Sequence, residues 1–137
     1  MKRKIILASH HKLADGMADT LNFITGGLVE LSVLSAYMDN DPIEDKISKM
    51  MDESSDTEIV VLTDMTAGSV NQKFFSYRTR PHTHIISGMN LPLALSISME
   101  PSDKYLTQER VEKLISQAKE SIVYVNTMQV EVDDDDE

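Results

Sequence analysis

Ile59-Val60-Val61-Leu62-Thr63-Asp64-Met65-Thr66-Ala67-Gly68-Ser69-Val70 holds the pattern from which the fold can be read. Four consecutive apolar residues form a strand buried on both faces, as in a parallel sheet. The polar turn Thr63 to Ser69 follows, and a short helix is expected over residues 70–77. The same order occurs earlier in the chain. Ile5-Ile6-Leu7-Ala8 reads as the first strand, and Leu13, Met17, Leu21 and Ile24 then recur at helical spacing until Gly26-Gly27 stops the helix. Between these two units, residues 28–37 alternate as a second strand. Asp41 is placed to cap Pro42, and Ile43, Ile47, Met50 and Met51 give a second helix. Beyond them, His84-Ile85-Ile86 makes a fourth strand, residues 91–97 a helix, and residues 102–121 the clearest helix, with Leu106, Val111, Leu114, Ile115 and Ala118 on one face. Ile122 to Val132 is rich in β-branched residues and is expected to add a C-terminal edge strand. Strands alternating with helices argue for an α/β fold: an open, mostly parallel sheet in the common order 2-1-3-4, with helices on both faces.

The chain has 137 residues, so one domain over residues 1–132 and an acidic tail over 133–137 account for all of it. Hydrophobic residues make up 41% and charged residues 26%, enough for a core without staples. There is no cysteine, which removes disulfide frameworks, thiol nucleophiles and zinc–cysteine sites and suits a reducing cytoplasm. The net charge is -10, of which Glu131, Asp133, Asp134, Asp135, Asp136 and Glu137 supply six. With that balance and no stripe of Lys and Arg, nucleic acid is not an expected partner. No apolar run approaches the roughly 20 residues of a membrane span.

In open parallel sheets, ligands bind beyond the carboxyl ends of the strands. The loops at those ends carry His10, His11, Asp64, Thr66, Ser69 and Asn90. If the first and third strands are neighbours, His10 and Asp64 face each other across one crevice. A carboxylate that holds one ring N–H leaves the lone pair of the other nitrogen free, which is the arrangement of an oriented nucleophile. Ser and Thr hydroxyls nearby, together with backbone N–H groups at helix starts, would receive an anion such as a phosphoryl group. Spacing alone leaves this reading beside a plainer one, a solvated histidine near a strand-end carboxylate. A metal at His10-His11 is not supported, because adjacent residues in an extended chain point to opposite sides and no ligand spacing follows. Neither Gly26-Gly27 nor Ala67-Gly68-Ser69 matches a phosphate-loop pattern, and Ser69 is expected to double as a helix cap. His82 and His84 read as structural. No cofactor is called for.

Three segments together resemble the enzyme IIA domain of the mannose-type (mannose/fructose/sorbose) family of the bacterial phosphoenolpyruvate-dependent sugar phosphotransferase system. They are Ile5-Ile6-Leu7-Ala8-Ser9-His10, running on through Leu13-Ala14-Asp15-Gly16; Val60 to Asn71; and Ile85-Ile86-Ser87-Gly88-Met89-Asn90-Leu91-Pro92. The resemblance spans nearly the whole chain up to about Asn126. It implies that His10 accepts a phosphoryl group from the phosphocarrier protein HPr and passes it to an enzyme IIB partner serving a membrane permease. Asp64 would orient the ring and Ser69, with Thr66 beside it, would contact phosphoryl oxygens. His11 and Asn90 would lie in the surrounding loops, His11 at the entrance where a partner protein docks. The resemblance further implies a cytoplasmic homodimer, held near the membrane through the permease complex, in which the last strand runs antiparallel and is exchanged between subunits.

The chain departs from the family pattern at His11, where the family commonly has Gly, and at Ala67 and Val70, which replace a Gly and a Pro. Two other readings share these features. One is the phosphotransfer subunit of a phosphoenolpyruvate-dependent dihydroxyacetone kinase, and the other a non-catalytic regulatory domain of the same fold.

Overall fold

The computed structural model describes residues 1–129. Four parallel strands, β1 (Arg3–His10), β2 (Leu31–Ala36), β3 (Glu58–Thr63) and β4 (Thr83–Ser87), form one open sheet in the order β2-β1-β3-β4. Around it lie α1 (Leu13–Thr25), α2 (Ile43–Met51), α3 (Ser69–Phe74), α4 (Leu91–Ser98) and α5 (Gln108–Glu120). A turn of 3-10 helix, Phe75–Thr79, extends α3. Among the described residues, no helix is long and apolar enough to cross a membrane.

The continuous apolar runs belong to the two central strands because each of those strands has a helical layer on both sides. Ile5, Leu7, Val60 and Leu62 face Ala14, Ala18 and Leu21 of α1, Leu93, Ala94 and Ile97 of α4, and Val111 and Leu114 of α5. Ile6, Ala8, Ile59 and Val61 face Ile43, Ile47 and Met51 of α2 and Val70 and Phe74 of α3. Side-chain alternation along β1 continues past Ala8, so His10 emerges on the α2–α3 side and Ser9 on the α1 side. Ser9 is fully buried there, and its Oγ accepts the Ala14 N–H at 2.7 Å, which closes the first turn of α1.

The amino ends of the strands are tied by charge. Glu58 is buried with no exposure and pairs with Arg3, whose side chain is 6% exposed. Arg3 also donates to the carbonyls of Glu100 (2.9 Å) and Lys104 (3.1 Å), while Glu58 Oε2 accepts the Leu106 N–H at 2.6 Å. The loop between α4 and α5 is therefore fastened to the sheet. That is why α5 starts at Gln108 rather than at residue 102, with Thr107 Oγ1 accepting the Arg110 N–H as its cap. His84 and His82 serve the same end: His84 Nε2 meets the Leu106 carbonyl at 3.0 Å, and His82 stacks on Tyr105 with ring centroids 3.6 Å apart.

Two more local expectations are corrected. Pro42 itself is the boundary residue of α2, and Asp41 does not cap it; the Asp41 N–H is instead taken up by Asp39 Oδ1 at 3.0 Å. The expected C-terminal edge strand does not form up to Gln129. The chain there is irregular with one 3-10 turn at Val125–Thr127, and Ile122, Val123, Tyr124 and Val125 are exposed. β-branched composition favours a strand only where a second edge supplies hydrogen bonds, and this segment finds none within the described residues of its own chain. Residues 130–132 of that expected strand, and the acidic tail, lie outside the described residues.

Candidate functional site

The carboxyl ends of β1, β2 and β3 converge on the His10 imidazole. The 2-1-3 order makes β1 the common neighbour, with His10 opposite Ala36 of β2 and Ala8 opposite Thr63 of β3. Asp64, the first residue past β3, reaches across: its Oδ2 accepts the backbone N–H of His10 at 2.8 Å and lies 2.7 Å from His10 Nδ1. Its Oδ1 accepts the Met65 N–H at 3.0 Å. Burial by itself would raise this carboxyl, but the bonds from the His10 backbone and ring and from Met65 outweigh it and hold Asp64 below the usual aspartate range. An ionised carboxylate only accepts, so Nδ1 carries a proton, and in the neutral ring Nε2 presents its lone pair.

Around Nε2 the site is polar and open. The His10 side chain is 33% exposed and that of Asp64 only 9%. Ser69 Oγ, at the first residue of α3, sits 3.3 Å from Nε2 and 2.5 Å from the Tyr37 hydroxyl. The Tyr37 ring lies beside the imidazole, centroids 5.4 Å apart and tilted by 33°. Below the ring is Gly68, where an added Cβ would stand 2.9 Å from His10 Cε1. The absence of a side chain at this position is what lets the imidazole settle between Asp64 and Ser69.

The remaining candidates are placed differently. Ser69 does not cap α3; Gly68 is the boundary residue and the serine hydroxyl turns to His10 and Tyr37 instead. Thr66 Oγ1 meets Ser87 Oγ at 2.5 Å, and Asn71 braces the turn through Thr63 (2.9 Å) and the Thr66 carbonyl (3.3 Å). Asn90 caps α4, with its Oδ1 accepting the Leu93 N–H at 2.9 Å. His11 is exposed in a left-handed conformation (φ 54°) with its N–H on the Ala36 carbonyl at 2.9 Å, and its ring makes no hydrogen bond among the described residues. Glycine suits that backbone without cost; histidine is among the side chains that tolerate it.

Tyr37 was not singled out from sequence, where it closes an alternating strand. The available signal was topological, since the 2-1-3 order brings the end of β2 beside His10. Its backbone is also left-handed, at φ 66°, a conformation that costs a bulky residue about 1 kcal/mol or more.

The EIIA-man family model, the fructose IIA component of the phosphotransferase system, matches residues 4–115. A Klebsiella pneumoniae protein assigned as a phosphoenolpyruvate-dependent sugar phosphotransferase system permease is 34% identical, with a TM-score of 0.83 over 93% of this chain and 93% of that one. A phosphotransferase system IIA protein associated with the fucose utilization operon of Streptococcus pneumoniae is 25% identical (TM-score 0.74, 92% and 95% covered). The mannose/sorbose-specific IIA subunit of Enterococcus faecalis, at 21% identity, shares the fold with a TM-score of 0.78 over 96% of this chain and all of that one. No match is found among curated protein sequences.

Proposed function

Because the chain belongs to the mannose-type enzyme IIA family of the phosphotransferase system, we propose that it carries a phosphoryl group on His10 Nε2, between phospho-HPr and an enzyme IIB partner. The observation that supports this most directly is the pairing of Asp64 Oδ2 with Nδ1 at 2.7 Å, which places the lone pair of the neutral ring on Nε2, in a side chain that is 33% exposed. In the first transfer the Nε2 lone pair forms the new N–P bond while the donor's N–P bond breaks, its electron pair returning to the donor nitrogen. In the second, the acceptor's nucleophile forms the bond to phosphorus and the pair returns to Nε2. The ring proton stays at Nδ1 on Asp64 throughout, so no proton has to leave for the nucleophile to act.

Ser69 turns its hydroxyl from Nε2 to a phosphoryl oxygen. Thr66, held on Ser87, shapes the turn beside Ser69. No metal or cofactor enters the transfer. The protein acts in the cytoplasm, reaching the membrane only through its permease partners, and the exposed apolar segment from Ile122 to Val125 pairs two copies into a homodimer.

The test is labelling from phosphoenolpyruvate through the general donor proteins. Phosphorylation persists in His11→Ala, vanishes in His10→Ala, and is acid-labile as a phosphoramidate requires. Label retained in His10→Ala and lost in His11→Ala would refute the assignment of the nucleophile.

A further inference from the structure

We infer that Tyr37 is a positioning residue for the phosphoryl-accepting nitrogen, acting through Ser69; the inference deepens the proposed function and rests on it. The direction of each hydrogen bond follows from the one before it. Asp64 accepts from Nδ1–H, so in the neutral ring, the form that acts as nucleophile, Nε2 carries the lone pair and accepts. Ser69, 3.3 Å away, is the hydroxyl available to donate to it. Once the Ser69 proton is committed to Nε2, the 2.5 Å contact between Ser69 Oγ and the Tyr37 hydroxyl needs a proton from the tyrosine. The order is Tyr37 O–H to Ser69 Oγ, then Ser69 O–H to Nε2.

A free serine hydroxyl rotates among three staggered wells, and the tyrosine, by donating to Ser69 Oγ, selects the one in which the serine proton points at Nε2. When Nε2 is phosphorylated it stops accepting. The Ser69 proton then passes to a phosphoryl oxygen with little change of rotamer, because Tyr37 still donates from behind. The backbone gives an independent observation. Tyr37 keeps a left-handed φ of 66° that glycine would occupy without strain, and the conformation aims its ring alongside the imidazole. Strain retained next to a reactive group is expected where the side chain is used.

Tyr37→Phe keeps the ring and removes only the donor. In single-turnover phosphoryl uptake it lowers the rate at saturating donor by about three- to tenfold, the worth of one oriented hydrogen bond, with the half-saturating donor concentration unchanged. In a Ser69→Ala background the same substitution has no further effect, because nothing is left for the tyrosine to position. The second measurement needs no phosphoryl donor: the 15N resonance of His10 Nε2 is displaced by the serine proton in the wild type, and that displacement is lost in Ser69→Ala and reduced in Tyr37→Phe. Wild-type rates in Tyr37→Phe, an equal fall with and without Ser69, or an Nε2 resonance untouched by Tyr37→Phe would each overturn the inference. If the wild type takes up no phosphoryl group while its nitrogen resonances report the chain of donors, the proposed function fails and the positioning stands.

Discussion

Gly68→Ala separates the chemistry of the site from the stability of the fold. The new Cβ would stand 2.9 Å from His10 Cε1, 3.1 Å from Met65 Cγ and 3.3 Å from the Met65 carbonyl oxygen. Ordinary carbon–carbon contact begins near 3.5 Å, so the imidazole has to retreat by about 0.6 Å. It is tethered at 2.7 Å by Asp64, so a retreat of that size moves Nε2 off its position beside Ser69. Misplacing the reacting nitrogen by about 0.6 Å costs roughly tenfold in phosphoryl uptake. Stability should barely respond. Gly68 has φ -79° and ψ 151°, a conformation open to alanine. The entropy lost from the unfolded chain gains about 0.4 to 1 kcal/mol, and a poorer helix boundary costs a similar amount. Rapid-quench uptake and urea unfolding on the same preparation check both halves. Wild-type transfer in Gly68→Ala would show that the ring does not rest on this glycine when it reacts.

Asp64→Asn keeps an acceptor for Nδ1–H without its charge and should slow uptake about tenfold, followed by rapid quench; an unchanged rate would show that the carboxylate is not the orienter. The wild-type carboxyl is held below its ordinary value, so its ionised form stabilises the fold at neutral pH, and that contribution is lost as pH falls below about 4. Urea melts should therefore show the gap between wild type and Asp64→Asn narrowing in acid, and a gap that widens there would contradict the assignment. Arg3→Leu leaves the Glu58 carboxylate buried without its partner and should cost about 3 to 5 kcal/mol in urea unfolding; a loss under about 1 kcal/mol would mean that the pair does not fasten the sheet. Sedimentation equilibrium should show a dimer that Tyr124→Asp dissociates, and a dimer indifferent to that change would remove the segment after α5 from the interface.

The parallel sheet was legible because β1 and β3 each carry four consecutive apolar residues, Ile5 to Ala8 and Ile59 to Leu62, a pattern that two-sided burial explains. The meeting of His10 and Asp64 followed from the expected strand order, and Ser69 beside them from the family resemblance. The role of Gly68 was not legible, since a glycine in a turn looks the same whether it bends the chain or makes room for a ring. Tyr37 was hidden by the alternation of its own strand, which gives no sign of the left-handed turn that redirects it. Arg3 and Glu58 were missed because a charge inside a strand reads as solvent-facing until its partner, some 55 residues distant, is known. The segment after α5 was read as a strand from composition, which reports what a chain can form and not whether an edge is there to receive it.

Arg3 and His10 stand at opposite ends of one eight-residue strand, about 23 Å apart at a rise of about 3.3 Å per residue. Changes that far apart without shared partners combine additively. Thermal tolerance and phosphoryl chemistry are therefore independently adjustable traits in this chain. A library that randomises residues 100–106 would spread melting temperatures widely around a single, unchanged rate of transfer.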